Sequence, residues 1–117
     1  MATRGEVCRY YEHGNDVNTQ GTLGFSIDDF LMNFNPPFPN HIKIDVDGLE
    51  LAILSGARRT LADSRIRSMM VELNVSSEAD YRTAIGLIEA SGFRLISRGE
   101  RQGTETEVAM NHLFQRS

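Results

Sequence analysis

The stretch that decides the fold is His41–Asn74, which reads HIKIDVDGLELAILSGARRTLADSRIRSMMVELN. Its first residues place Ile42, Ile44 and Val46 at every second position, between charged or polar neighbours. This period of two predicts a half-buried strand over His41–Val46. The strand runs into the letters DVDG, so the sequence predicts that it delivers acidic side chains to one edge of a sheet.

The rest of this stretch predicts a helix and a second strand. Asp47 can cap the helix, with Glu50 returning the bond as in a capping box. Gly56 and the alanine after it are small enough to let the helix lie close against a sheet. Ser68–Leu73 is almost entirely apolar, which is typical of a strand covered on both faces. Because right-handed crossovers join parallel strands, we expect the two strands to pair in parallel. The apolar side of the helix carries Ile53, Leu54, Ala57 and Leu61.

Residues 1–24 are polar and rich in glycine, and we expect them to form a connecting segment with at most a short strand at Val7–Tyr11. Helical order is predicted to begin next, since Ser26 is a good N-cap whose hydroxyl can accept from free backbone amides. This helix must be short, because a Pro-Pro pair after Asn35 can neither continue it nor donate to it. The domain proper is therefore predicted over residues 25–117.

Downstream of the central stretch, helices and strands continue to alternate. A helix is predicted from Ser76 or Ser77, with a left-handed residue at Gly92 after its last turn. Two strands follow, Phe93–Ser97 and Val108–Gln115, and because the polar loop between them holds no helix we expect them to be antiparallel. The predicted fold class is α/β, a partial Rossmann-like, mostly parallel sheet with an antiparallel C-terminal strand. The buried stripe of the helix carries Tyr81, Ala84, Ile85 and Ile88.

The composition of the whole chain excludes several classes of function. With 117 residues, 40% hydrophobic and 24% charged, the chain fits one small globular domain. The net charge is -4 and the basic residues are scattered, so no nucleic-acid partner is expected. No apolar run approaches the roughly 20 residues of a membrane span, and no secretory leader is visible. Cys8 is the only cysteine and the histidines share no ligand spacing, so we expect a cytoplasmic protein with no metal site and no membrane partner.

Side chains with useful chemistry cluster at the ends of the two central strands. In open α/β sheets ligands bind beyond the carboxyl ends of the strands, so these side chains form the candidate site. Helix capping explains Asp47 and Glu50 equally well. Asp45 and Glu72 have no such role, and a carboxylate within an apolar strand is costly unless it is paired or solvated. The five candidates are Asp45, Asp47, Glu50, Glu72 and Asn74. The alternative for Asp45 and Glu72 is internal pairing with Lys43, Arg58 or Arg59.

The run IKIDVDGLELAILSGA, followed further on by MMVEL, resembles the signature of FkbM-type methyltransferases. Members of that family show a strand IKIDVEG, a helix with a Glu and a Gly-Ala pair, and a strand ending VEL. The helix start at Ser26–Leu31, the segment Tyr81–Phe93 and the ending Asn111–Phe114 are also similar to family patterns. The resemblance covers roughly residues 22–116, and Asp47 stands where Glu is commoner.

The resemblance implies a class I methyltransferase-like fold that uses S-adenosylmethionine to methylate a hydroxyl oxygen of a sugar- or polyketide-like small molecule. By position, Asp45, Asp47 and Glu72 are predicted to be catalytic, with Glu50 and Asn74 binding the acceptor. Such enzymes hold the cofactor with a Gly-rich loop after their first strand, and no G-x-G occurs in these 117 residues. We therefore expect the C-terminal portion of the fold, with an incomplete cofactor site.

Other classes of protein fit parts of the same pattern. Asp45-Val46-Asp47 is a D-x-D triplet of the kind that holds a divalent cation and a nucleotide sugar in metal-dependent glycosyltransferases. A non-catalytic assembly module is a further alternative. A phospho-acceptor receiver domain has a similar length, but it needs an acidic pair after its first strand and a lysine after its fifth, and Lys43 is the only lysine.

The resemblance also predicts an assembly. In the complete fold, His41–Val46 lies between the first strand and Ser68–Leu73, and no such first strand is visible in this chain. One edge of His41–Val46 is therefore expected to stay open, and its unpaired amides and carbonyls invite pairing with another chain. We predict a homo-oligomer with this strand or its neighbouring helices at the contact, unless Val7–Tyr11 folds back to cover the edge.

Overall fold

The computed structural model describes the backbone of residues 3–12 and 15–117, and the side chains from Gly21 onward. Strands and helices alternate along most of the described part. In chain order the elements are β1 (Thr3–Glu12), β2 (Asn15–Phe25), α1 (Ile27–Phe34), β3 (His41–Ile44), α2 (Glu50–Ser55), α3 (Arg58–Ala62), β4 (Ser68–Asn74), α4 (Glu78–Ala90), β5 (Phe93–Arg98), β6 (Gln102–Gly103) and β7 (Val108–Arg116).

Strands β1 and β2 form an antiparallel hairpin of their own. Their register pairs Thr3 with Phe25 and shifts once, next to Tyr10. The prediction that residues 1–24 are mainly connection is therefore wrong for the described residues there. The signal was present in the sequence, where a run with Val, Thr and Tyr and a second run with Val and Thr lie on either side of Gly14, a common turn residue. The division into a segment 1–24 and a domain 25–117 stays a prediction.

The other five strands form one sheet in the order β3-β4-β7-β5, with β6 beside β7. Strands β3 and β4 are parallel, as predicted, and the C-terminal strand β7 is antiparallel to both β4 and β5, also as predicted. The sheet is nevertheless not mostly parallel, because among the described pairs only β3–β4 runs in parallel. The reason is that β7 inserts between β4 and β5, so that two strands with the same direction are kept apart.

The hydrophobic core lies against one face of this sheet. Met69 and Val71 of β4 are buried, whereas Met70 between them is 36% exposed and Glu72 is half-buried. The prediction that β4 is covered on both faces is therefore wrong. Full burial of a large apolar side chain contributes about 1.5–3 kcal/mol, so the helices that pack on the buried face account for much of the stability. Their buried side chains are Leu54, Leu61, Ala84 and Ile88.

Helix α1 begins and ends where the sequence predicts. The Ser26 hydroxyl accepts from the Asp29 amide at 3.1 Å, which confirms Ser26 as the N-cap. The helix ends at Asn35, whose φ of 44° is left-handed and whose amide donates to the Leu31 carbonyl. Asparagine tolerates this conformation, and the prolines that follow prevent further helix.

The predicted central helix is in fact two short helices, because the chain turns at Gly56 and Ala57. A Cβ on Gly56 would lie 2.8 Å from the Cβ of Ser26. The glycine is therefore needed where the turn meets the start of α1, and not, as predicted, where a helix meets the sheet. Ala57 is fully buried in the core.

Asp28 makes the connection between α1 and α3. Its carboxylate accepts from the backbone amides of Arg59 at 3.0 Å and Thr60 at 2.8 Å, and from the Thr60 hydroxyl at 2.6 Å. The first turn of a helix leaves amides without partners, and a negative charge there is favourable. Asp28 therefore caps α3 across a gap of some thirty residues in sequence, a role that the sequence did not reveal.

The end of β7 holds the ends of the helices through Arg116. Its Nε donates to the Ile66 carbonyl at 2.8 Å and its Nη1 to the Ser91 carbonyl at 3.0 Å. Its Nη2 donates to the carbonyls of Leu61 and Asp63, at 2.7 and 2.8 Å. These carbonyls lie at or just after the C-terminal ends of α3 and α4, where a positive charge is favourable.

Candidate functional site

Parallel pairing brings the ends of β3 and β4 together at one edge of the sheet. Ile44 lies beside Val71, so the acidic residues that follow each of them are neighbours. A pocket of about 520 Å³ opens at this edge. Four of the five predicted site residues line it, namely Asp47, Glu50, Glu72 and Asn74.

The fifth predicted residue, Asp45, lies beside this pocket. Strand β3 ends at Ile44, earlier than the predicted Val46, and Asp45 is exposed. It lines an adjoining groove of about 390 Å³ along β3. The cost of burying a carboxylate therefore does not apply to Asp45, contrary to the prediction, but it does apply to the half-buried Glu72.

Negative charge is concentrated around Glu72. Partial burial raises the pKa of the Glu72 carboxyl, and the neighbouring charge of Asp45 and a hydrogen bond with its side chain raise it further. The carboxylates of Asp47 and Glu50 act in the same direction. Two carboxylates that meet this closely favour sharing one proton over carrying two charges. Glu72 is therefore the group at this edge that is best placed to take up a proton.

No cation compensates this charge within the described part of the chain. Neither Asp45 nor Glu72 forms an ion pair there. The alternative of internal pairing is therefore wrong for the cations that the sequence suggested, Lys43, Arg58 and Arg59.

Asp47 and Glu50 do not form the predicted capping box. Helix α2 begins at Glu50 with Leu49 at its N-cap position, and no side chain caps it. The Glu50 carboxylate instead accepts from the Gly48 amide at 3.3 Å. Gly48 has a φ of 87°, which favours glycine, so the turn after β3 depends on this residue. The capping explanation is therefore wrong, and the position of both carboxylates in the pocket needs another reason.

Two asparagines supply the amide groups at this edge. The Asn74 Oδ1 accepts from the Ser76 amide at 2.8 Å, which holds the turn after β4. Asn111 lies opposite Glu72 in the β4–β7 pairing. Its buried Oδ1 has no hydrogen-bond partner among the described residues. A buried acceptor left without a donor costs about 1–3 kcal/mol, although Asn111 itself does not line the pocket.

The C-terminal hairpin forms the opposite wall of the pocket. Strand β6 pairs with β7 inside the segment predicted as a polar loop, so that prediction is wrong for residues 102–103. Gly103 has a φ of 121°, and a Cβ there would collide with the Glu107 carbonyl oxygen, so only glycine fits. Glu107 adds a further carboxylate to the lining. Sequence reasoning missed both residues, although a glycine followed by a threonine is a turn signal.

A buried histidine lies in the core behind this edge. The Nδ1 of His112 lies 2.8 Å from the Met110 carbonyl, which can only accept, so Nδ1 carries a proton. The Tyr81 hydroxyl, 3.0 Å from Nε2, then donates to that nitrogen. Burial lowers the pKa of His112, and the nearby charge of Arg98 lowers it further. His112 is thus a neutral core residue with both ring nitrogens occupied.

The described residues do not fit a complete binding site for S-adenosylmethionine. The carboxylates that line the pocket suit the positive sulfonium and ammonium groups of the cofactor but repel its carboxylate. No G-x-G loop occurs to receive that carboxylate on backbone amides. In the described part of the chain, no group of three or more His, Cys, Asp or Glu side chains is placed to hold a metal ion.

The fold is an α/β domain with a pocket at the carboxyl ends of its parallel pair of strands, β3 and β4. Residues 9–95 match the family model described as the methyltransferase FkbM domain. The chain therefore belongs to the FkbM methyltransferase family, which confirms the resemblance seen in its sequence. Searches of curated proteins and of solved structures gave no match. Within the described residues, no helix is both long and apolar enough to cross a membrane.

Proposed function

We propose that this chain is part of an S-adenosylmethionine-dependent methyltransferase that methylates a hydroxyl oxygen of a sugar- or polyketide-like small molecule. The observation that carries the proposal is the family match together with the acidic pocket at the ends of β3 and β4. A hydroxyl must lose its proton as its oxygen receives a methyl group, so a carboxylate held close to that oxygen is the required chemical group. Cytoplasmic location stays part of this proposal.

Glu72 is the proposed proton acceptor. Its raised pKa makes its carboxylate a stronger base than an ordinary glutamate, and the carboxylates around it provide the reason. Asp45 and Asp47 support this by their charge, and they complete the proposed catalytic set. Asp45 acts from the edge of the pocket, because it is exposed and lines the adjoining groove.

The proposed binding groups hold the hydroxyls of the acceptor. Glu50 and Asn74 line the pocket, and carboxylate or amide oxygens accept from sugar hydroxyls. A polyhydroxylated acceptor is a better supply of such donors than an apolar one, which supports the substrate class.

The isolated chain is proposed to supply the acceptor side of the reaction and only part of the cofactor site. S-adenosylmethionine supplies the methyl group wherever it is held. The glycosyltransferase alternative has no support in the family match, and its D-x-D residues belong to no group placed to hold a metal among the described residues. A non-catalytic assembly module remains the alternative for the isolated chain.

Methyl transfer can be measured directly with the purified chain. We would incubate it with millimolar S-adenosylmethionine labelled in its methyl group and with a panel of sugars and hydroxylated polyketides. We expect label in at least one hydroxyl compound, with Glu72→Gln slower by about 100-fold or more, the usual contribution of a positioned base. Glu89→Gln on the exposed side of α4 is the matched control. Transfer to none of the compounds would favour the assembly module.

A further inference from the structure

The strand pairing shows which side chain can bring a proton to the buried oxygen of Asn111. On one side Asn111 is paired with Glu72 of β4. On the other side the Gly99 amide donates to the main-chain carbonyl of Asn111 at 2.7 Å, and Gly99 has no side chain. Side chains directly opposite each other in an antiparallel pair share one face of the sheet, with Cβ atoms about 4.5–5.5 Å apart. Glu72 is therefore the side chain directly across from Asn111.

Only the protonated form of Glu72 can satisfy this oxygen. An ionised carboxylate has acceptors alone, whereas a protonated carboxyl group has one O–H donor. The Oδ1 of Asn111 is buried and has no hydrogen-bond partner among the described residues, so ionised Glu72 leaves it unpaired. Partial burial and then the neighbouring carboxylates raise the pKa of Glu72, which brings the protonated form within reach.

Asp45 is a second acceptor for the same proton, since a hydrogen bond with its side chain contributes to the raised pKa of Glu72. Asp45 is exposed, so water can satisfy its oxygens whenever Glu72 is ionised. Water does not reach the buried Oδ1 of Asn111. Asn111 therefore gains more than Asp45 does when Glu72 is protonated.

The other charged groups around Glu72 do not replace this hydrogen bond. Asp47 and Glu50 favour the protonated form of Glu72 by their charge, and Glu107 on the opposite wall of the pocket is also acidic. Lys43 of β3 shares this face of the sheet, but it is paired with Met70 and forms no ion pair within the described residues.

We propose that Asn111 is a positioning residue for Glu72, and that its Oδ1 accepts a hydrogen bond from the Glu72 carboxyl group once Glu72 has taken up a proton. Its role in the reaction rests on the proposed function. There, the proton leaves the hydroxyl of the acceptor and binds a Glu72 oxygen, while the electron pair stays on the hydroxyl oxygen. The hydrogen bond to Asn111 stabilises the protonated Glu72 that this transfer produces.

NMR titration of the purified chain tests the pairing without any substrate. With isotope-labelled glutamate and asparagine side chains, we would follow the Glu72 carboxyl carbon and the Asn111 Cγ as the pH is varied. In the wild-type chain both resonances should move with the same midpoint. Asn111→Leu keeps the size of the side chain but removes the acceptor, so the acid dissociation constant of Glu72 should increase about two- to tenfold.

Gln115→Leu is the matched control, because it exchanges an amide for the same apolar side chain on the same face of β7, opposite Ser68. It should leave the dissociation constant of Glu72 unchanged, and circular dichroism checks that each variant is folded. An unchanged or smaller dissociation constant in Asn111→Leu would overturn the proposal, because apolar surroundings alone hold a carboxyl group protonated. So would an equal change in Gln115→Leu. An Asn111 resonance that stays fixed while Glu72 titrates in the wild-type chain would overturn it without any variant.

The assay with labelled methyl groups shows whether the pairing serves the reaction. Asn111→Leu should lower kcat and leave the KM for the acceptor unchanged, because Asn111 does not line the pocket. The loss of activity at low pH should also begin at a lower pH than in the wild-type chain. Equal rates and pH profiles in the two chains would remove Asn111 from the reaction. Shared titration of Glu72 and Asn111 without methyl transfer to any compound would contradict the proposed function and leave the pairing established.

Discussion

Glu72 is the side chain at the acidic edge whose pKa is raised, by partial burial and by the neighbouring carboxylates. It follows a buried strand residue, Val71, and lies on the opposite, more open face of the sheet. Partial burial and the carboxylate of Asp45 both disfavour its charged form. An arrangement that raises the energy of a charge without pairing it does nothing for stability, so it is expected where a protein uses the charge.

Glu72→Gln should therefore stabilise the fold at neutral pH. The pKa of Glu72 is raised in the folded state, so its ionisation costs folding energy as the pH rises above the unfolded value of 4.5. Below that value both states are protonated and the cost disappears. We expect a gain of a few tenths to about 1 kcal/mol in the free energy of unfolding at pH 7, the range for like charges across a strand pair, and almost none at pH 4.

Urea denaturation at the two pH values measures this difference. Glu89→Gln, on the exposed side of α4, should change stability little at either pH. A loss of stability in Glu72→Gln at pH 7 would mean that the carboxylate has a structural partner.

Tyr81 supplies the only donor that the described residues give to the Nε2 of His112. Tyr81→Phe would leave that buried nitrogen without a partner, which costs about 1–3 kcal/mol. Burial also lowers the pKa of His112. As the pH drops below about 6.5, the unfolded chain therefore takes up a proton on this histidine before the folded chain does, and the free energy of unfolding falls. Thermal unfolding of Tyr81→Phe at pH 7.5 tests the first effect, with Tyr81→Leu separating loss of the hydroxyl from loss of the ring. An unchanged melting temperature in Tyr81→Phe would contradict the assigned proton positions.

At the scale of elements, the sequence predicted those whose signals are local. The N-cap at Ser26 and the left-handed Gly92 followed from residues next to them in the chain, and the parallel pairing of β3 with β4 followed from the helix predicted between them. The contacts that it missed join distant parts. The capping of α3 by Asp28 spans two elements, and the insertion of β7 between β4 and β5 depends on packing that no local pattern encodes.

The same division holds for the candidate site. Asp47, Glu50, Glu72 and Asn74 were found because strand ends are readable in a sequence. Gly103 and Glu107 were not found, because they reach the pocket only through the pairing of β6 with β7. The capping box was predicted from its spacing alone. In the structure the chain makes a left-handed turn at Gly48, and helix α2 begins after it, at Glu50.

Asp28→Asn tests how strongly α1 and α3 depend on each other. The charged carboxylate accepts from two backbone amides and a hydroxyl, whereas an amide side chain has one accepting oxygen and no charge. Hydrogen bonds to charged groups contribute about 1.5–3 kcal/mol, so we expect a loss of about 2 kcal/mol in the free energy of unfolding. Asp29→Asn is the matched control, because Asp29 shares the first turn of α1 but not these bonds. Equal losses in the two variants would show that only the charge near the start of α1 matters.

At the scale of the whole molecule, the helices and Arg116 close one side of the sheet, while the acidic edge carries an open pocket. Arg116 reaches four carbonyls near the ends of α3 and α4, so the last strand holds the helical side together. The open side carries the pocket and, next to it, the apolar groove along β3. The pocket and this groove adjoin at Val46, which lines both of them.

The chain is expected to bind S-adenosylmethionine only weakly, so that millimolar cofactor fills its incomplete site in part. The pocket attracts the sulfonium through Asp47, Glu50 and Glu72, but nothing in the described part receives the cofactor's carboxylate, and the same acidic residues repel it. Calorimetry with the purified chain should give a dissociation constant no tighter than about 1 mM, which corresponds to about -4 kcal/mol. A titration of Glu72→Gln is informative, because removing one charge should weaken any sulfonium attraction further. A dissociation constant in the low micromolar range would show that a cofactor site is built from other residues, and the proposal of an incomplete site would then fail.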